Sequence, residues 1–247
     1  MKLKLTIAFD GTAYKGWQVQ KTGLGIQEHI DNAIRKIFPE APRTHSSSRT
    51  DSGVHALGMV AQVELPGPQF KMSPDKFVIA VNSYLPQDIR VMSAVPVPEE
   101  FNARYDAKGK QYRYFLWNGP AMNPLLRLQA WQVHRTLDVP AMRAGAKFLI
   151  GRHDFKSLAA THNYEMASTV RTLTRCDIRK QGQLLTFIIE GDGFLYKMCR
   201  GIVGTLAQVG EGKTPPEEIK NILEKKDRRA AGMSAPAHGL ILWKVYY

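Results

Sequence analysis

The sequence predicts an α+β fold made of two similar subdomains, with a mainly antiparallel central sheet flanked by helices. Three observations carry this reading. Some stretches alternate apolar and polar residues at period two, and others repeat apolar residues three and four apart. The two kinds follow one another in both halves of the 247-residue chain. The boundary falls between Pro98 and Lys110, giving subdomains at 1–105 and 106–247.

Leu3, Leu5, Ile7 and Phe9 alternate with Lys2, Lys4 and Thr6, the pattern of a half-buried strand, which ends at the turn signal Asp10-Gly11-Thr12. From Ile26, the apolar positions Ile30, Ala33, Ile34, Ile37 and Phe38 mark an amphipathic helix with Arg35 and Lys36 outside, stopping before Pro39. Met59 to Leu65 reads as a strand closed by a Pro66-Gly67-Pro68 turn. Ser73 caps a second helix that buries Phe77, Ala80, Val81 and Tyr84, and Ile89 to Val97 is a further strand. In the second half, Gln111 to Trp117 is a strand with aromatics on both faces. Asp138 caps a helix from Pro140 to Ile150 that ends at Gly151, and Val170 to Ile189 folds as a hairpin about Gly182. Leu195, Met198, Ile202, Leu206 and Val209 recur at helical spacing. Thr214-Pro215-Pro216-Glu217 reads as a capping box opening a short helix, and Gly239 to Tyr247 is a closing strand.

Lys and Arg number 34 against 22 Asp and Glu, a net charge of +12, which points to a polyanionic partner such as nucleic acid. The two cysteines, Cys176 and Cys199, form no Cys-x-x-Cys, and the histidines form no ligand cluster. Neither a disulfide scaffold nor a metal site is expected. No apolar run approaches the ~18 residues of a membrane span, and no signal sequence follows Met1, so the expected location is the cytoplasm. Val209 to Thr214 is not a phosphate loop, because the glycine needed five residues before Gly212 is Ala207.

The stretch from Ser47 to Ala56 gathers a carboxylate, a guanidinium, an imidazole, hydroxyls and a turn glycine, with almost nothing apolar to bury. In extended chain, Arg49 and Asp51 would leave on one face, and the guanidinium would hold the carboxylate ionised. Two further blocks, Phe101 to Tyr114 and Gly191 to Arg200, interleave basic residues with aromatics. Such residues neutralise phosphates and stack on bases, at about 1–3 kcal/mol per base.

Arg49-Thr50-Asp51-Ser52-Gly53-Val54-His55 resembles the Arg-Thr-Asp-Ala-Gly-Val-His signature of the TruA type of tRNA pseudouridine synthase. The resemblance extends, in family order, through Phe9 to Gln18, Phe101 to Arg104, Tyr112 to Tyr114, Gly151 to Phe155, Ile202 to Leu206 and Ala235 to Leu240. It implies that Asp51 is the catalytic aspartate, Arg49 its partner and Tyr112 the tyrosine that stacks on the target uracil. Arg200 matches an arginine of the site, and Leu240 a leucine bordering the pocket. It also implies tRNA as the substrate, a homodimer and an active-site cleft between the subdomains. The chain departs from the pattern at Ser47, Ser48 and Ser52, and at Lys197 and Gly201, where histidine and asparagine are common.

The implied reaction breaks the N-glycosidic bond of a uridine and joins C5 of the base to the ribose, with no net redox change and no cofactor. An ionised carboxylate is the central requirement. Two other readings remain at this point. One is a non-catalytic RNA-binding or assembly factor, supported by the charge. The other is a glycoside-type hydrolase with paired carboxylates, disfavoured because Asp10, Asp106 and Asp192 all fit turns or strand ends.

Overall fold

The computed structural model describes residues 1–20, 25–65, 72–160 and 168–247. The fold is α+β, and the chain divides into two compact units, Met1–Lys108 with Leu242–Tyr247, and Gly109–Ile241.

In the first unit, strand β1 (Lys2–Phe9) lies between β3 (His55–Glu64) and β4 (Ile89–Val97), antiparallel to both, with Leu5 opposite Ala61 on one side and Ala94 on the other. Leu3, Leu5 and Ile7 are fully buried, as their alternation requires. Short β2 (His45–Ser46) pairs with β3, and the last strand, β10 (Leu240–Tyr246), also lies next to β3. Helix α1 (Ile26–Arg35) buries Ile26, Ile30, Ala33 and Ile34. It ends earlier than the periodicity predicts, because the N–H groups of Ile37 and Phe38 both turn back to Ile34 O. Asp31, buried on α1, accepts from the N–H and hydroxyl of Thr44 at 2.9 and 2.8 Å, pinning the segment that leads into β2.

Helix α2 (Pro74–Ser83) starts as predicted, with Ser73 Oγ accepting from Lys76 N. Tyr84, expected inside, is 55% exposed, because it follows the last helical residue and leaves the buried stripe of Phe77 and Val81. Strand β3 begins at His55 rather than Met59, so part of the polar stretch lies in the sheet. The predicted Pro66-Gly67-Pro68 turn lies outside the described residues.

The second unit orders β5 (Gly109–Asn118), β9 (Leu184–Gly191), β8 (Val170–Gln181) and β7 (Gly151–Asp154) side by side, all antiparallel. β6 (Trp131–Val133) pairs with β5 in parallel, so the sheet is mainly rather than wholly antiparallel. Helix α3 (Val139–Lys147) is capped by Asp138, whose Oδ1 accepts from Ala141 N at 2.9 Å, and it closes three residues before Ile150. It packs on β8 and on α4 (Met198–Gly210), which is almost wholly buried. Leu195 lies outside α4, because Lys197 at its start is left-handed, with φ 57°.

Helix α5 runs from Glu218 to Lys225, and the predicted Thr214 capping box is not formed. An N-cap hydroxyl takes its bond from the second or third helical N–H. Proline at 216 removes the first of these donors. The helix instead opens four residues later, with the N–H groups of Glu218 and Ile219 bonded to Pro215 O and Pro216 O.

Candidate active site

Asp51 sits half-buried on the loop between β2 and β3. Its carbonyl accepts from Val54 N at 3.2 Å, closing a turn whose third residue, Gly53, has φ +76°, a conformation that glycine adopts without strain. A second loop, residues 10–17, is laced to it. Gly53 N and Ser52 Oγ both donate to Tyr14 O at 3.2 Å, and Trp17 N donates to Thr50 O at 3.2 Å. The two backbones nearly touch. A Cβ on Gly11 would lie 2.0 Å from Val54 O, and one on Gly16 would lie 2.3 Å from Thr50 O. Tyr14 is braced in turn by Asp88, which accepts from its hydroxyl at 2.7 Å. Burial and that bond to the carboxylate raise the Tyr14 phenol well above its ordinary range.

Asp10 Oδ1 accepts from Thr12 N at 2.9 Å and Thr12 Oγ1 at 2.5 Å, and lies 3.1 Å from His55 Nδ1. Partial burial works against its charge. The bonds from Thr12 and the neighbouring imidazole outweigh it and hold the carboxyl below its usual range.

The extended strand that would put Arg49 and Asp51 on one face does not form, and Arg49 is exposed. The expectation assumed a strand, where residues two apart share a face. Residues 48–51 are not in a strand, and the turn at 51–54 bends the chain directly beyond them. The hydroxyls of Ser48 and Thr50, on either side of Arg49, are buried without a hydrogen-bond partner among the described residues.

Tyr112, Arg200 and Leu240 belong to the second unit. Tyr112 is buried on β5, edge-on to Phe194 with ring centroids 4.9 Å apart. Arg200, half-buried on α4, donates from Nε to Ala235 O at 2.7 Å, and Ala235 N returns a bond to Arg200 O at 3.0 Å. The segment from Ala235 to the buried Leu240 is thus fixed to α4. It is also fixed to β5, where Tyr114 donates its hydroxyl to Pro236 O at 2.9 Å. Burial raises the Tyr114 phenol far above its ordinary value, although the charge of Arg200 opposes the shift. This phenol remains a hydrogen-bond donor at physiological pH. Tyr114→Phe is expected to leave the Pro236 carbonyl unpaired and to lower stability by about 1–2 kcal/mol. A urea midpoint shift at constant slope would show it, and an unchanged midpoint would rule it out.

Other residues take places that spacing did not reveal. Trp17 is core, with its ring centroid 6.2 Å from that of Phe9. Tyr105 is the exposed aromatic of its block, with the Arg104 guanidinium 5.5 Å from its ring centroid. Asp106 and Asp192 do the turn work expected of them, accepting from the N–H groups of Asn102 and Thr172. His55, Tyr14 and Tyr114 were visible only as members of motifs. No group of three or more His, Cys, Asp or Glu among the described residues could hold a metal ion. No helix among them is long and apolar enough to cross a membrane.

The family model for tRNA pseudouridine synthase matches residues 5–106 and 146–247, one stretch in each half, as two similar subdomains require. The tRNA pseudouridine synthase A of Geotalea uraniireducens is 42% identical over 247 residues, covering 100% of this chain and 99% of its own length. That of Ruminiclostridium cellulolyticum is also 42% identical with the same coverage, and tRNA pseudouridine synthase A 2 of Clostridium perfringens is 41% identical over 99% of both chains. The chain belongs to the tRNA pseudouridine synthase family, a family of isomerases that convert uridine to pseudouridine.

Proposed function

We propose that the chain converts uridine to pseudouridine in the anticodon stem-loop of tRNA, with Asp51 as the nucleophile. The observation that carries this reading is full-length membership of the family together with an Asp51 loop held by the 10–17 block of the same family pattern. The N-glycosidic bond breaks as Asp51 takes up the freed centre. The base turns, and C5 bonds the ribose carbon as Asp51 departs. The C5 proton is released and N1, which left with the electron pair of the broken bond, takes up a proton, so atoms and charge balance. No electrons are gained or lost, so the reaction as written needs no cofactor.

Arg49, on the same loop, supplies positive charge beside Asp51. The second unit supplies Tyr112 for stacking on the uracil, Arg200 for the RNA and Leu240 for the pocket wall. Extruding the base costs a few kcal/mol, which stacking and phosphate contacts by a chain of net charge +12 offset. We place the enzyme in the cytoplasm and read it as a homodimer.

Pseudouridine can be mapped in cellular RNA with an adduct that stops reverse transcription. Stops in tRNA anticodon stem-loops should vanish without the gene and return with the wild-type chain. Stops that vanish only elsewhere in tRNA would refute the anticodon assignment, and a pattern indifferent to the gene would refute the activity.

A further inference from the structure

One buried side chain ties the Asp51 loop to its neighbour and has no part in the reaction described above. His55 is 3% exposed and stands four residues beyond Asp51, across the Gly53 turn. Its Nδ1 lies 3.0 Å from Gly11 N and 3.1 Å from Asp10 Oδ1. A single ring nitrogen cannot accept from one and donate to the other at once. Unprotonated, Nδ1 accepts the Gly11 N–H, and Asp10 keeps its two bonds from Thr12. Protonated, it donates to Asp10. In both states the same atom joins the start of β3 to the turn at 10–12. This is the place where Gly11 presses on Val54 O.

We propose that His55 is a positioning residue for Asp51, acting through Nδ1 on the Asp10-Gly11 turn. The proposal rests on the reading of Asp51 as nucleophile. Both sides of the turn that presents Asp51 are anchored, at Tyr14 O through Gly53 and Ser52, and at Gly11 and Asp10 through His55. Loss of the second anchor frees one side of the turn that presents the carboxylate. A misplacement of about 1 Å costs a nucleophile on the order of 100-fold in rate.

The test compares His55→Ala, His55→Asn, His55→Gln and Asp51→Asn in the full-length chain. The readouts are kcat, KM and tRNA-binding stoichiometry, which counts the competent molecules. Asparagine puts an amide atom where Nδ1 stands, and glutamine reaches the Nε2 position instead. For His55→Ala, kcat per competent molecule should fall about 30-fold with KM within about threefold of wild type. His55→Asn should recover to within about fivefold of wild type, and His55→Gln should not. Wild-type kcat in His55→Ala would overturn the proposal, as would equal impairment of the asparagine and glutamine variants. The latter comparison decides the matter if the alanine variant does not fold. Should Asp51→Asn retain turnover, the nucleophile reading itself fails, whatever the His55 series shows.

Discussion

Asp51→Asn is expected to reduce pseudouridine formation by at least about 1,000-fold while leaving tRNA affinity within about threefold of wild type. The substitution keeps the shape of the side chain and removes its charge. A neutral amide neither attacks a sugar carbon nor accepts a proton at neutral pH. Binding should survive because the loop is held by its backbone. Asp51 O to Val54 N, Gly53 N to Tyr14 O and Trp17 N to Thr50 O need no carboxylate. Phosphate contacts dominate RNA affinity, and a carboxylate makes none of them. Single-turnover kinetics on a tRNA transcript, paired with a filter-binding titration, separates the two quantities. Turnover within about tenfold of wild type would remove Asp51 from its role. Equal losses of turnover and binding would instead mark it as a binding residue.

The sequence made the Asp51 stretch conspicuous because a run with so few apolar residues cannot contribute to a core. It could not reveal what holds the stretch. The partner loop lies some forty residues earlier, and its contacts run mostly through backbone groups, which every residue carries. The same limit applies to Arg49, since the alternation of faces holds only in a strand and residues 48–51 are outside one. Strand β1 and the caps at Ser73 and Asp138 were legible because their signals are local. The Thr214 box does not form because Pro216 has no N–H to give the Thr214 hydroxyl, which a match on residue types alone does not show.

Some departures from the family pattern now have structural uses. Ser52 Oγ bonds Tyr14 O, and Ser47 Oγ, fully buried, sits 3.8 Å from Met59 Sδ. Gly201 replaces a common asparagine where Leu158 O approaches helix α4, and a Cβ added there would lie only 2.0 Å from that oxygen.

The largest stability effect is expected at Gly204→Ala, on the buried face of α4. On helix propensity alone the change would stabilise by about 1 kcal/mol. Packing reverses the sign. The new Cβ would lie 1.7 Å from Met233 O and 3.2 Å from Ala235 N, both backbone atoms that cannot rotate aside. The segment must move as a whole. It is the segment that bonds Arg200 at both Ala235 N and Ala235 O, and bonds Tyr114 at Pro236 O. We expect a net loss of about 2–4 kcal/mol, from overpacking and weakened hydrogen bonds together. Gly182→Ala separates this from a generic glycine effect. Gly182, at the β8–β9 turn, has φ +58° and nothing within 4 Å of its Cβ position. Its substitution should cost only the left-handed strain of about 1–2 kcal/mol. Urea unfolding of the two variants reads the difference. If Gly204→Ala is no less stable than Gly182→Ala, the contact between α4 and Met233 is not the tight one described. If Gly204→Ala is folded but destabilised, the proposed RNA contact of Arg200 predicts a raised KM for tRNA as well, because Arg200 loses the carbonyl that holds its Nε.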